Sequence, residues 1–469
     1  MTAMDFRGWR VHFVGIGGAG LSAIARVLLE QGARVSGSDL ALSPAAEALA
    51  RDGARVYLGH RAGQVGAAEM VVVSSAVPED NVEVQAARAA GIPVVGRAQV
   101  LGELMAGRVG VAVAGTHGKT TTTAMIATVL CHAGLDPTYI VGGIVPGLGG
   151  NAHHGSGPHF VVEADEYDHT FLGLRPRVAV ITNVEHDHPD CYPTLGHLRL
   201  AFADFAALLP PDGLLVVCRD DRVAREIGAG LIAQGQRVVS YGLREAATWT
   251  ALDLRADPAG GSEFRAVRDG QALGEVRLRV PGAHNVLNAL ATLAVADHLG
   301  LPFPTVRSAL EGFRGVARRF ELKGEVDGVT VIDDYAHHPT EIRATLAAAR
   351  ERFPGRPLWA VWQPHTYSRT RALLTEFAQA FAGADHALVL PIYPAREQDT
   401  LGVSSEDVVA AMHHPDARAL GSLEEAVAVL GLEVRSGDVV LTLGAGDGDR
   451  VGEWLLIALR GEEGVDDAE

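Results

Sequence analysis

At 469 residues the chain is long enough for two to four domains, and 48% hydrophobic residues give it ample core. A net charge of −17 argues against nucleic acid and acidic membranes as partners. Anionic small molecules stay open, because local N–H groups, lysines and metal ions outweigh a diffuse surface charge. With three cysteines (Cys131, Cys191, Cys218) and no apolar run near a membrane span, a soluble cytoplasmic enzyme without a disulfide framework is expected.

Residues 10–14 read as a strand. Gly15-Ile16-Gly17-Gly18-Ala19-Gly20 then turns the chain into a helix ending near residue 31. A second strand over 33–37 ends at Ser38-Asp39, which completes a dinucleotide-type fingerprint: glycines, then an acid about 20 residues on. The chemistry requires a diphosphate over the helix N-terminus and a ribose hydroxyl at Asp39; NAD, FAD and a UDP-sugar all satisfy it. A third strand over 70–73 ends in the polar tip Ser74-Ser75. His60 reads as an ordinary surface histidine, and 91–108 as the crossing into the next domain.

Residues 109–114 form an apolar run, followed by Gly115-Thr116-His117-Gly118-Lys119-Thr120-Thr121 and a helix over 121–130. Such a turn aims backbone N–H groups and a helix N-terminus at one point, where a phosphate is stabilised. Lys119 adds a cation and Thr120 a hydroxyl within reach of a phosphate-bound Mg²⁺. The strict P-loop spacing is not met, since Val113 stands where its first glycine belongs. Strands over 159–162 and 177–182 end in Glu163-Ala164-Asp165-Glu166 and Asn183-Val184-Glu185-His186-Asp187-His188. In a parallel sheet these tips share one edge, so Lys119, Thr120, Glu166 and His188 are expected to converge on a Mg-nucleotide. His186, His188 and Cys191 have zinc-like spacing, but no second pair completes four ligands.

Residues 240–280 alternate with period two and suggest an inserted antiparallel ribbon. His284, Asn285 and Asn288 open an alanine-rich helix, either capping it or facing a base. A third α/β segment begins near Arg319. Its strands over 329–332, 358–362 and 439–443 end in Asp333-Asp334-Tyr335-Ala336-His337-His338-Pro339, Gln363-Pro364-His365-Thr366 and Gly444-Ala445-Gly446. The acidic tail from Gly461 is expected to fray.

Taken together, these motifs and their order resemble the Mur ligases over nearly the whole chain, and within them the branch that couples L-alanine to UDP-N-acetylmuramate. The resemblance implies an α/β fold of three domains. A Rossmann-like UDP-sugar domain takes 1–107, a central P-loop-type ATPase with a parallel sheet and small antiparallel ribbon takes 108–317, and a Rossmann-like domain takes 318–469. It implies ATP and Mg²⁺ as cofactors, an acyl-phosphate intermediate, no nucleic-acid or membrane partner, and a monomer or homodimer. By the match, Gly115 to Thr121 cradle the ATP phosphates, with Lys119 on the β- and γ-phosphates and Thr120 on the nucleotide Mg²⁺. Glu166 and His188 ligate a second Mg²⁺, His284, Asn285 and Asn288 approach the adenine, and Arg319 contributes charge. Asp333 and Tyr335 face ATP from the third domain, while His337, His365 and Arg369 hold the amino acid. Gly15, Gly17, Gly18, Ala19 and Gly20 carry the UDP diphosphate, with Asp39, Ser74 and Ser75 near the nucleoside. One departure stands out: Thr366 follows the Gln-Pro-His motif where relatives usually have a basic residue, so Arg369, Arg371 or another cation must serve the amino-acid carboxylate. No carbamoylated lysine is expected. The competing readings are a ligase that recycles a whole peptide onto the same sugar, an NAD-dependent oxidoreductase, and a non-catalytic nucleotide-binding regulator.

Overall fold

The computed structural model describes residues 4–461 except Pro258 and Asp399; the acidic residues after Gly461, expected to fray, lie outside the described residues. Three sheets follow one another along the chain. The first is parallel throughout: β1 (Arg10–Val14), β2 (Arg34–Asp39), β3 (Arg55–Leu58), β4 (Met70–Val73) and β5 (Val94–Gly96), in the order β3-β2-β1-β4-β5. The chain winds outward through β2 and β3 and then returns to β4. The strand order therefore reverses between β1 and β4, where an open α/β sheet leaves a crevice at its strand C-termini. The Gly15–Gly20 turn and Ser74 sit there.

The second sheet has ten strands: β6 (Val109–Ala114), β7 (Thr138–Val145), β8 (Gly150–His153), β9 (His159–Glu163), β10 (Val178–Ile181), β11 (Leu214–Cys218), β12 (Arg237–Tyr241), β13 (Trp249–Ala256), β14 (Ser262–Arg268) and β15 (Gln271–Leu278). Their order is β15-β14-β13-β12-β11-β10-β6-β9-β7-β8. The expected ribbon is not a separate insertion. Its strands β13 to β15 extend the main sheet, joined to β12 through the single parallel pair Tyr241↔Trp249. The other edge carries the β7–β8 hairpin. In the middle, Val113 pairs with Glu163 and Ala114 with Ile181, so three chemically loaded strand tips lie side by side. β6 and β10 are buried along nearly their whole length, which is why they read as unbroken apolar runs.

The third sheet runs β16 (Glu321–Val326), β17 (Val329–Asp334), β18 (Leu358–Trp362), β19 (His386–Val389), β20 (Ala417–Ala419) and β21 (Val439–Leu443), ordered β16-β17-β21-β18-β19-β20 with β16 antiparallel at the edge.

One hydrophobic core spans the first sheet and one face of the second, continuous through Leu101, Leu104 and Met105 of the helix Arg97–Met105. Gly102 of that helix lies so close to Gly173 that a Cβ would stand 2.4 Å from its carbonyl oxygen. Glu30 at the end of the helix Ala19–Glu30 accepts from His153 Nδ1 at 3.1 Å and from the His154 amide at 2.7 Å on the β8 hairpin. The two glycine turns are thus held in fixed relation by packed apolar surface. Among the described residues no helix is long and apolar enough to cross a membrane.

Candidate active site

The turn after β6 is built on two glycines that no other residue could replace cheaply. Gly115 has φ +142°, and a Cβ there would meet Thr182 Oγ1 at 1.8 Å; Gly118 has φ +80° and faces Asn288 Oδ1. The helix Lys119–His132 starts immediately, earlier than the expected residue 121, and its first turn carries the chemistry. Lys119 Nζ donates to the Gly115 carbonyl at 2.6 Å, the Thr116 carbonyl at 3.2 Å and Glu166 Oε1 at 2.8 Å. Burial alone would depress this lysine, but Glu166 and Asp165 beside it hold its pKa above the usual range. Glu166 is buried, with Oε1 also 3.8 Å from His188 Nε2 and Oε2 without a hydrogen-bond partner.

Thr120 has an acid partner given no role from sequence. Its hydroxyl donates to Glu163 Oε1 at 3.0 Å, while Glu163 Oε2 accepts the Gly142 amide at 2.6 Å. Glu163 stands last in β9, on the tip next to Gly115, and this position is the signal that sequence reasoning saw but gave no role. Two oxygen donors at the helix start suit a hard divalent cation such as Mg²⁺.

Lys119, Thr120, Glu163 and His188 line a cavity of about 510 Å³, together with Gly20 and Arg97 on one side and Arg319, Tyr335, His337, His365 and Arg369 on the other. Arg97, given no role from sequence, donates to Asp165 Oδ2 at 2.8 Å and Thr170 Oγ1 at 3.0 Å, bridging the first two sheets. Arg369 is buried and bonded to Asp187 Oδ1 at 2.8 Å and to His365 Nδ1 at 3.1 Å. Burial keeps the His337 and His365 rings neutral, at about 3 and about 4. Thr366, with φ +68°, caps the short helix Tyr367–Ala372 through the Arg369 amide and so sets where Arg369 starts.

A second cavity of about 430 Å³ lies behind the phosphate turn, lined by His117, Asn183, His284, Asn285, Asn288 and Arg319 among others. His284 is held neutral at about 4 by burial. Asn285 donates to the Pro281 carbonyl at 2.7 Å, and Asn288 accepts from Thr122 Oγ1 at 3.1 Å, so the two amides brace the turn as well as line the pocket. Across β17 the two acids diverge. Asp333 turns away from both cavities, accepting from Arg318 Nε at 3.0 Å and Thr442 Oγ1 at 2.8 Å. Asp334 lines the second cavity instead and is pushed up to about 6 by burial. Strand alternation places adjacent residues on opposite faces, so a facing role for Asp333 is replaced by one for Asp334. Arg319 stacks over Tyr335 at 5.0 Å.

In the first sheet Asp39 Oδ2 accepts the Gly17 amide at 2.8 Å, so this acid fastens the glycine turn itself. A Cβ on Gly15 would meet the Ser74 Cβ at 3.1 Å, whereas Ser75 is exposed. His60 is not a surface residue: it bonds Ser38 Oγ at 2.9 Å and lies 3.2 Å from the buried Glu83. His186 donates to the Tyr192 carbonyl at 3.0 Å, away from any zinc-like grouping with His188 and Cys191.

Three family descriptions match in succession: the Mur ligase family catalytic domain over residues 10–109, the Mur ligase middle domain over 113–296, and the Mur ligase glutamate ligase domain over 318–446. The chain is similar to the UDP-N-acetylmuramate–L-alanine ligase of Caldanaerobacter subterraneus subsp. tengcongensis, 44% identical over 95% of this chain and 97% of that one. Its fold is similar to the crystal structure of the UDP-N-acetylmuramate–alanine ligase of Thermotoga maritima, with TM-score 0.81 and 32% identity over 96% and 99% of the two chains. It is also similar, at TM-score 0.73 and 26% identity over 98% and 100%, to a murein peptide ligase of Psychrobacter arcticus. Matched along its length by all three Mur ligase descriptions and by near full-length relatives, the chain belongs to the Mur ligase family.

Proposed function

We propose that the chain is an ATP-dependent amide-bond ligase that joins L-alanine to the lactyl carboxylate of UDP-N-acetylmuramate, releasing ADP and phosphate in peptidoglycan precursor synthesis. The observation that carries the reading is the 510 Å³ cavity, which touches the first glycine turn, the Lys119 turn and the His337–Arg369 cluster at once. Three substrates can meet there, one from each sheet. On this reading residues 1–107 hold the UDP-sugar, 108–317 hold ATP, and 318–469 close over ATP and bring the amino acid. The enzyme works in the cytoplasm.

A carboxylate and an amine do not condense unaided, because the carboxylate is a poor electrophile. A carboxylate oxygen of the sugar attacks the γ-phosphorus, ADP departs, and an acyl phosphate forms. The alanine amine then attacks the acyl carbon, and phosphate leaves from the tetrahedral intermediate with the amine's surplus proton passing to solvent or a neighbouring base. Phosphoryl transfer needs mainly positioning and charge neutralisation. Lys119, fixed by two carbonyls and Glu166, presents its charge to the β- and γ-phosphates. Thr120 with Glu163, and Glu166 with His188, would hold magnesium, which would supply neutralisation of phosphate charge. His284, Asn285, Asn288 and Asp334 border the base, with Arg319 between the two cavities. Arg369, clamped by Asp187, offers its remaining guanidinium edge to the alanine carboxylate, while His337 and His365, held neutral, add no charge to repel the ammonium.

The test is ADP release with Mg-ATP and UDP-N-acetylmuramate, comparing L-alanine, glycine, L-serine and a tripeptide. Turnover that needs the sugar and is highest with L-alanine is expected. Turnover with the tripeptide alone moves the chain to peptide recycling, and turnover independent of any acceptor removes the ligase reading.

A further inference from the structure

We propose that His117, Glu185 and His338 form a binding site for a divalent metal of the zinc class, separate from the magnesium positions beside the phosphates. His117 Nε2 lies 3.1 Å from Glu185 Oε2, and His338 Nδ1 lies 3.6 Å from the same oxygen. The three ligand atoms all fall within 4.8 Å of one another. Tetrahedral zinc, with bonds of about 2.0–2.1 Å, spaces its ligands roughly 3.3–3.5 Å apart. Two of these spacings are close to that range; the ion needs small side-chain shifts to enter, and His338 Nδ1 must exchange the Thr340 amide that it accepts at 3.3 Å for the metal. Two imidazoles and one carboxylate favour zinc, nickel or cobalt over magnesium.

The groups behind the ligands fit the same reading. The far nitrogen of His117, Nδ1, lies 3.2 Å from Glu341 Oε1, the carboxylate–histidine arrangement that turns the other ring nitrogen toward a metal. Thr340 Oγ1 donates to Glu185 Oε2 at 2.7 Å and fixes the carboxylate rotamer. Among the described residues this is the grouping of histidine, cysteine and acid side chains that converges, in contrast to His186, His188 and Cys191.

The ligands come from three places: the phosphate turn, the segment after β10, and the residue that caps the helix Pro339–Arg352 of the third domain. A metal here ties the phosphate turn to that domain. His117 and Glu185 also line the 430 Å³ cavity, so the bound metal stands against the nucleotide.

The test uses the full-length, tag-free protein stripped with EDTA and titrated with Co²⁺ without nucleotide. A visible d–d spectrum of a four- or five-coordinate ion, saturating at one equivalent and abolished by one equivalent of Zn²⁺ but not by millimolar Mg²⁺, is expected. His338→Asn keeps an acceptor for the helix cap but removes the imidazole, and should weaken Co²⁺ at least ~10-fold. Thr340→Val, a milder change, should weaken it by a smaller factor, and Cys191→Ser should leave it alone. A thermal melt of each variant establishes folding independently of turnover. No stoichiometric signal, or a signal unchanged in His338→Asn and Thr340→Val, overturns the proposal whatever the outcome of the ligase assay.

Discussion

The molecule contains two glycine-rich turns from strand to helix, and the contrast between them separates holding a diphosphate from acting on one. The first, Gly15–Gly20, leads into a helix capped by Gly18 with no side-chain hydrogen bond and no acid in its first turn. Of its charged neighbours, Asp39 is spent on the Gly17 amide, and Arg97, which stands against Gly20, is spent on Asp165. The second, Gly115–Lys119, also leads a strand into a helix but with a left-handed Gly118 at the helix start, and charge crowds it: Lys119 within the turn, Glu163, Asp165 and Glu166 on the neighbouring tip, and the His117–Glu185–Glu341 cluster beyond. Backbone N–H groups suffice where a phosphate is merely seated. Where phosphoryl charge must shift, preorganised ions in a low-dielectric site do more than amides alone.

The sharpest way to break this contrast is to take charge from the second turn. Lys119→Ala should lower kcat for ADP release by roughly 10²–10³ or more, equivalent to about 3–4 kcal/mol. Calorimetric binding of UDP-N-acetylmuramate should stay within about threefold, because the proposed function assigns that ligand to the other turn; equal loss of both would unite the turns. Glu163→Gln should cost less than Lys119→Ala but raise the Mg²⁺ concentration needed for half-maximal rate. If Glu166→Gln moves that concentration and Glu163→Gln does not, the pairing of Thr120 with Glu163 is not the nucleotide metal position.

Backbone substitutions probe the shared geometry next. Gly115→Ala puts a methyl 1.8 Å from Thr182 Oγ1 at φ +142° and should cost about 2–3 kcal/mol of stability, read by chemical denaturation. Gly18→Ala, with φ −68° and the nearest atom at 3.6 Å, should be near neutral for stability. Similar losses in both would mean that the first turn is more tightly packed than its contacts imply.

Ionisation around the second turn sets a pH window. Burial would lower His117, but hydrogen bonds to Glu185 and Glu341 raise it from 6.5 to about 9. A group raised in the folded state stabilises fully below its unfolded value, so this contribution is intact below 6.5 and is lost as pH climbs through 9. His284, His337, His338 and His365 act oppositely. Burial lowers them to about 4, 3, 4 and 4, so folding weakens as pH falls below 6.5 toward 4. Melting temperature should therefore peak near neutral pH. His117→Asn should flatten the alkaline side by about 2–3 kcal/mol, and it should also change the acid side, because His117 helps to lower Glu185, Glu341 and His338.

Where the physics is local, the sequence carried it. The strand over 70–73, the β6 run and the turn at Gly115 were legible because buried parallel strands are continuous apolar runs and positive φ demands glycine. Pairing was not legible. Glu163 and Glu166 are three residues apart on one tip, and which of them meets Thr120 depends on the β6–β9 register, with Val113 opposite Glu163. Asp333 and Asp334 differ by one step of strand alternation, which composition does not reveal. Arg97 lies in the crossing between domains, and its value comes from Asp165, 68 residues away. The β13–β15 ribbon was visible as period two, but its attachment rests on one pair of residues.

The smallest effect concerns Asp39, and it tests whether the first turn is passive. In the structure this carboxylate accepts the Gly17 amide at 2.8 Å and the Leu40 amide at 2.8 Å, so it ties the turn to the end of β2. Asp39→Asn keeps one acceptor oxygen, turns its NH2 toward the other backbone amide and removes the charge. If Asp39 acts by shaping the turn, the variant should lose about 0.5–1.5 kcal/mol of stability at most, and KM for the UDP-sugar should rise no more than several-fold with kcat unchanged. If the carboxylate instead takes a ribose hydroxyl directly, a charged hydrogen bond of about 1.5–3 kcal/mol disappears, and KM should rise by ten-fold or more while stability hardly moves. The two readings thus exchange which quantity responds. A stability loss with little change in KM leaves the first turn a seat made of backbone, which is the role the contrast with Lys119 assigns to it.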